Sequence, residues 1–171
     1  MYDPTVFDNL KVAIENRVYD LDNLDRKIRI VNRKDQMDFA VLARHFAIQF
    51  SLVQEPELMA EVVLEASLAE LATEILETPG GNPGCVLKVR FLKTIEQVDR
   101  QCRAIEETIQ AIWEEDVLLH QTLSFSYKDE ATTYANQIEL TFKTKITEEH
   151  MNALDDFLDH VLGTMQVLLD Q

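Results

Sequence analysis

Residues 85–91 read Cys-Val-Leu-Lys-Val-Arg-Phe, so that apolar side chains at the odd positions alternate with Lys88 and Arg90. A two-residue period places neighbouring side chains on opposite faces of a β-strand. The stretch therefore predicts a strand over residues 86–93 with one apolar and one polar face. Such a strand needs other elements against its apolar face, while its polar face meets water or a partner.

The segments on either side of this strand are also distinctive. Residues 94–97, Thr-Ile-Glu-Gln, have the spacing of a helix capping box, and apolar residues continue at three- and four-residue spacing to Ile112. Residues 78–84, Thr-Pro-Gly-Gly-Asn-Pro-Gly, hold three of the four glycines and two of the four prolines. They predict a connecting loop rather than a phosphate-binding loop, because a phosphate loop leaves a strand and opens a helix.

The rest of the chain repeats the same two periodicities. In the second predicted strand the apolar phase changes between Val41 and Phe46, which predicts a bulge or a break near residues 43–45. The predicted helices cover residues 3–23, 55–77, 94–112 and 147–168, and the predicted strands cover residues 27–33, 39–52, 86–93, 123–128 and 138–146.

These elements predict an α+β fold. We expect a two-layer sandwich in which a five-stranded, mainly antiparallel sheet carries all four helices on one face. A chain of 171 residues suits a single domain over residues 1–171. Because helix, hairpin and helix follow each other twice, we also expect an internal pseudo-duplication, with halves 1–78 and 85–171 joined by the loop 78–84.

Charge is sorted along the sequence. Residues 55–77 contain seven acids and residues 147–171 contain six, and neither segment has a lysine or arginine. Most basic residues fall in the predicted strands, so we expect acidic helices opposite a basic sheet face. The net charge of −15 disfavours nucleic-acid binding, because affinity for phosphates depends on lysine and arginine. Aromatic residues also fall in the phase opposite to the basic ones, which removes the stacking platforms that nucleic acids use.

The polar phase of the predicted strands is the best candidate surface. It would carry basic side chains able to bind an acidic protein, an anionic small molecule, or the acidic helices of a second copy in a homodimer. A solvated face without a partner is the alternative interpretation, since exposed charges usually serve solubility. The candidate ligand or partner residues are Arg29, Arg33, Lys88, Arg90, Lys143 and Lys145.

Catalytic and metal-binding patterns are weak by comparison. No serine, histidine or cysteine stands in a nucleophile motif, and Cys102 lies on the apolar stripe of its helix. Asp156 and His160, four residues apart on one helix, form the strongest metal-ligand pair, but no second pair completes a site. We therefore expect neither a cofactor nor a bound metal, and we favour a non-enzymatic role.

Location follows from what the sequence does not contain. It has no apolar run of about 20 residues, no basic and apolar leader at its start, and only two cysteines, which indicates a cytoplasmic protein away from membranes. The sequence favours a non-catalytic interaction or regulatory module that acts through a polar, basic sheet face. The alternative is a protein or enzyme that binds an anionic small molecule in a pocket over the sheet.

Overall fold

The computed structural model of the chain describes residues 5–128 and 132–171. This part folds into four α-helices, a 3₁₀ helix and one six-stranded sheet. No helix in these two ranges is long and apolar enough to cross a bilayer. In chain order the elements are α1 (Val6–Asn23), β1 (Ile28–Asp38), β2 (Ala43–Leu52), β3 (Glu55–Ala66), α2 (Leu68–Ile75), β4 (Val86–Ile95), α3 (Val98–Trp113), β5 (Val117–Ser124), β6 (Tyr134–Phe142), the 3₁₀ helix (Glu148–Ala153) and α4 (Leu154–Leu169).

The sheet has the strand order β1-β2-β3-β4-β6-β5, and every neighbouring pair is antiparallel. The predicted α+β class with antiparallel pairing is confirmed, with six strands in the described residues instead of five. Strands β1 to β4 are neighbours in chain order, while β6 lies between β4 and β5. The two predicted halves contribute three strands each to one sheet, and their internal duplication stays a prediction.

The additional strand is β3, and the helix predicted over residues 55–77 is wrong for its first half. Glu55–Ala66 pairs with β2 on one side and with β4 on the other. Its alternate residues from Leu58 to Ala66 are buried, a two-residue period hidden by many helix-forming Glu, Ala, Leu and Met residues. Only α2 is helical, and it begins where the side chain of Ser67 accepts a hydrogen bond from the backbone N–H of Glu70.

A bulge in β1 determines which way its basic residues point. The β1–β2 register shifts between Ile30 and Asn32, whereas β2 pairs without interruption across the predicted bulge region 43–45. The extra residue reverses the phase of β1, so that Ile28 and Arg33 project from the same face of the sheet. Of the two alternatives predicted near residues 43–45 the break is the one observed, because residues 39–42 form a turn and β2 begins at Ala43, while the bulge lies in β1.

Helices α1, α3 and α4 contact one set of strand side chains. Arg33 of β1 reaches Glu15 of α1, Gln121 of β5 donates to the carbonyl of Cys102 in α3, and Phe142 of β6 packs against Phe157 of α4. Trp113 links the last turn of α3 to this layer through its Nε1–H, which donates to Thr164 Oγ1 at 3.0 Å. The largest fully buried side chains of this layer are Phe7, Leu10 and Ile14 of α1, Ile28 of β1, Phe46, Ile48 and Phe50 of β2, Leu58 and Leu64 of β3, Phe91 and Ile95 of β4, and Ile105 of α3.

Two helix starts show how the backbone N–H groups near a helix N-terminus find hydrogen-bond acceptors. The predicted capping box at residues 94–97 is wrong, because β4 continues to Ile95 and α3 begins at Val98. The side chain of Gln101 instead turns back and accepts hydrogen bonds from the N–H groups of Glu96 and Gln97 at 2.8 and 2.7 Å. At the last helical segment Thr147 is the cap, as predicted, and it opens the 3₁₀ helix that leads into α4.

Candidate functional site

The strand side chains opposite to the helix-contacting set form the candidate surface, which we call the polar face. Its members are neighbours across the sheet, because residues in register lie about 5 Å apart on adjacent strands. The polar face comprises Arg29, Asn32 and Lys34 of β1, Gln49 and Ser51 of β2, Met59, Glu61, Val63 and Glu65 of β3, Lys88, Arg90 and Leu92 of β4, Leu118, His120 and Thr122 of β5, and Gln137, Glu139 and Thr141 of β6.

Arg90 is the central charge of the polar face. It stands in register with Glu61 on one side and Glu139 on the other. Its Nη1 donates to Glu61 at 3.1 Å and its Nε donates to Glu139 at 2.7 Å. Burial alone would raise the pKa of Glu139, but the hydrogen bond and the charge of Arg90 outweigh it and lower that pKa. The three side chains form a fixed ion-pair network across β3, β4 and β6.

A second group of charges lies one step along the same strands. Glu65 forms an ion pair with Lys88 at 3.6 Å and lies 3.4 Å from the Nδ1 of His45. Because residues 55–66 form a strand instead of an acidic helix, Glu61 and Glu65 lie among the basic residues. The expected separation of acidic helices from a basic sheet face is therefore wrong. The middle of the polar face is charge-compensated.

The six predicted surface residues are not all on this face. Arg29, Lys88 and Arg90 are, but Arg29 is three strands away from the other two, roughly 14 Å across the sheet. Arg33 lies on the helical side, where it bonds Glu15 at 2.6 Å and stands over the ring of Phe46. Lys143 lies just beyond the end of β6.

Lys145 belongs to a different place, the open cavity at one end of the sheet. Its Nζ pairs with Glu70 of α2, and both residues line a cavity of about 770 Å³, here called the end cavity. Arg44 and His45 also line it. Arg44 is held by Asp8 and Asp35 at 3.3 Å each and stands over the ring of Phe7. The cations of the end cavity therefore already have carboxylate partners.

The β1–β2 turn is a surface feature that the sequence reasoning missed. Residues 39–42, which we call the hairpin tip, connect the two strands and expose apolar side chains, with Phe39 at 82% and Val41 at 57%. Leu42 adopts a left-handed backbone with φ of 52°, a conformation that disfavours a branched side chain. The signal was present as Phe-Ala-Val-Leu, but it was interpreted as the beginning of a buried strand.

Metal binding finds no support in the described residues. No cluster of three His, Cys, Asp or Glu side chains in residues 5–128 and 132–171 could hold an ion. Of the candidate pair, His160 has its Nδ1 2.6 Å from the backbone carbonyl of Asp156, and its ring lies beside Trp113. The histidine is oriented by its own helix and not by the Asp156 carboxylate.

Two kinds of nucleophile have altered acidity. Burial raises the pKa of the Cys85 thiol to about 12 and raises that of Cys102 as well, so both favour the unreactive thiol form. Burial lowers the pKa of Lys93, an inward-facing residue of β4. Its Nζ donates to the carbonyls of Leu168 and Gln171 at the end of α4, which assigns it to securing that helix.

The candidate surface thus combines a polar face whose middle is charge-compensated, an apolar hairpin tip and an end cavity with paired cations. Comparisons with protein-family models, with curated protein sequences and with solved structures found no match, so the geometry alone supports a functional proposal.

Proposed function

We propose that the protein is a non-catalytic protein-interaction module and that the polar face is its binding surface. The observation that carries this proposal is the spread of Arg29, Lys88 and Arg90 across the plane of the sheet. Basic side chains that converge on a cleft suit a small anion, whereas the same groups on a flat face suit a protein. The two-layer arrangement supports it, because the helix contacts go to the opposite set of side chains.

The composition of the polar face fits a non-obligate interface. Leu92 and Leu118 are interspersed with glutamine, threonine and paired charges, a mixture close to that of ordinary protein–protein contact surfaces, while Val63 of the same face is fully buried. The network around Arg90 is already formed, so a partner need not order those side chains when it binds. The hairpin tip adds Phe39, an exposed aromatic side chain of a type that is enriched at the core of interfaces.

An acidic protein is the partner that the uncompensated charges favour. Arg29 and Lys34 are exposed on β1, and within the described ranges neither forms an ion pair. Both lie on the strand that leads into the hairpin tip, with Lys34 roughly 17 Å and Arg29 roughly 33 Å from Phe39, so a partner that extends along β1 would contact both an apolar anchor and a basic strip. Opposite charges across an interface accelerate association and align the partner more than they raise affinity.

Photo-crosslinking tests this proposal. Benzoylphenylalanine at Asn32, on the polar face, should give a discrete adduct with another protein in lysate of cells that natively express the chain, and the same probe at Val12, exposed on α1, should not. Arg29→Glu with Lys34→Glu should abolish the adduct. The matched control, Arg17→Glu with Arg103→Glu on the helices, makes the same charge change and should leave it intact. Equal adducts from Asn32 and Val12, or none from Asn32, would reject the proposal.

The end cavity favours a second candidate, a protein that binds an anionic small molecule. Its volume of about 770 Å³ lies in the range of ligand sites, and Arg44, His45 and Lys145 line it. A ligand would have to replace the carboxylates that these groups now contact. Thermal shift against phosphorylated metabolites tests this candidate: one compound should stabilise the protein by several degrees, and Lys145→Ala, but not Lys143→Ala, should remove the effect.

A further inference from the structure

The two edges of the sheet differ in how well they are protected. β1 forms one edge and β5 the other, and each pairs with a single neighbour. An edge strand presents unpaired backbone N–H and C=O groups, which can pair with another chain unless charge, proline or a bulge prevents it. β1 has such protection, since it contains the bulge after Ile30 and the consecutive charged residues Arg33, Lys34 and Asp35.

β5 has none of these devices. Its eight residues pair with β6 in an uninterrupted register from Val117 to Ser124. The sequence from Val117 to Tyr127 is Val-Leu-Leu-His-Gln-Thr-Leu-Ser-Phe-Ser-Tyr, without proline, glycine, lysine, arginine or any acid. These 11 residues are the longest run in the chain without a formal charge. The pairing of the edge strand is regular, and its Val117 and Thr122 are residues that favour strands.

The missing charge indicates what pairs with this edge. A chain with a net charge of −15 repels its own copies over most of its surface, and self-association needs a patch where that repulsion is absent. β5 is such a patch. Antiparallel pairing of a strand with itself is symmetric, so identical edges satisfy each other without any second type of surface.

We propose that a second copy of this chain adds to β5 in antiparallel fashion, so that two sheets join into one of twelve strands around a two-fold axis at His120. The proposal rests on the interaction role proposed above and names one partner for it. The eight residues of β5 span about 26 Å, and pairing about His120 places side chains of the same face opposite each other, which aligns the polar faces of the two copies into a single surface.

Exposed apolar side chains beside β5 agree with this arrangement. Leu118 is 59% exposed on the polar face, and Phe125 and Tyr127, just beyond the strand, are 73% and 92% exposed. In an antiparallel pair centred on His120, Leu118 of one copy lies opposite Thr122 of the other. Phe125 and Tyr127 then extend alongside the partner's segment that precedes its β5. Pairing therefore covers apolar surface that one chain alone leaves in water.

Sedimentation velocity of the full chain provides the test. The wild type should shift from 19.7 kDa to twice that mass as its concentration rises, with a dissociation constant of roughly micromolar order. Leu118→Lys with Thr122→Lys places like charges opposite each other across the two-fold axis, and it should weaken dimerisation at least tenfold. The matched control, Asn32→Lys with Gln36→Lys on β1, adds the same charge at the protected edge and should dimerise like the wild type.

A charge-reversal experiment guards against a variant that fails to fold. Leu118→Glu with Thr122→Glu should be monomeric alone, and mixing it with the lysine variant should restore a species of dimer mass. A wild type that remains monomeric, a lysine variant that dimerises like the wild type, or a mixture that does not associate would overturn the proposal. The Asn32 crosslinking adduct, measured in the monomeric lysine variant, separates the two proposals, because loss of β5 pairing leaves the β1 side of the polar face intact.

Discussion

Replacing Arg90 with methionine tests the central feature of the polar face. The change keeps the aliphatic stem between β3 and β6 but removes the cation that Glu61 and Glu139 share. Each hydrogen bond between charged groups contributes about 1.5–3 kcal/mol, and partial exposure of the network to water reduces the sum. The side chains of Arg90, Glu61 and Glu139 are 24%, 15% and 22% exposed. We expect Arg90→Met to lower the free energy of unfolding by about 2–3 kcal/mol at pH 7.

The effect of Arg90→Met on the free energy of unfolding should depend on pH. In the wild type the pKa of Glu139 is lowered, so its stabilising contribution is complete well above the ordinary glutamate value near 4.3 and is lost as the pH falls through the lowered pKa. Without Arg90, burial is no longer outweighed and the pKa of Glu139 should rise above its ordinary value. As the pH falls, protonation of Glu139 then removes the unpaired, partly buried charge from the variant. The difference in unfolding free energy should therefore shrink markedly between about pH 7 and pH 3.5.

Urea unfolding followed by circular dichroism at the two pH values measures this difference. Lys34→Met, which removes an exposed cation from β1, is the matched control. It should lower the free energy of unfolding by less than about 0.5 kcal/mol. Replacing Arg90, Glu61 and Glu139 together with methionine should restore most of the lost free energy of unfolding, because no unpaired carboxylate then remains. The reasoning fails if Arg90→Met costs no more than Lys34→Met, or if its cost is the same at both pH values.

Three further predictions concern the backbone and the thiols. Leu42→Gly should raise the free energy of unfolding by about 1 kcal/mol, because glycine relieves the left-handed φ of 52°, whereas Leu42→Ala should not; equal effects in urea unfolding would contradict this. Gly163→Ala should stabilise α4 by about 0.5–1 kcal/mol, since nothing lies within 4 Å of the added Cβ. Gly81→Ala, in contrast, should destabilise the protein, because its Cβ would stand 2.5 Å from Thr73 Cγ2. A fall in melting temperature for Gly163→Ala would contradict the prediction for α4. Iodoacetamide at about pH 8 should alkylate Cys102 before Cys85, whose pKa of about 12 keeps it protonated, and mass spectrometry showing equal rates would argue against this order.

The sequence predicted the elements in which the spacing of apolar residues is a stronger signal than the residue types. The strand from Val86 and the helix ending near Trp113 were both identified, because their apolar residues follow one period without interruption. β3 was missed for the opposite reason. Its alternate residues from Leu58 to Ala66 form a regular two-residue period, but its residue types favour helices, and pairing on both sides overrides that local preference.

The candidate site depended on details that a single sequence does not contain. One extra residue after Ile30 moves Arg33 from the polar face to α1, and a periodicity argument has no means of locating a bulge to the residue. The partners of Arg90 were hidden because Glu61 had been assigned to a helix. The phase of Lys88 and Arg90, in contrast, was predicted directly from the alternation around them.

The strand order also has a consequence for the order of folding events. β1 to β4 form a meander and β5 and β6 form a separate hairpin, so the pairings within each unit close shorter loops than the pairing between them. That pairing, β4 with β6, links residues that lie 39 to 53 positions apart and must wait until α3 and the hairpin exist. During synthesis Arg90 therefore meets Glu61 first and Glu139 last. The ion pair with Glu139 then joins the β5–β6 hairpin to the β1–β4 meander. Amide exchange in the paired strands β4 and β6 should report that step.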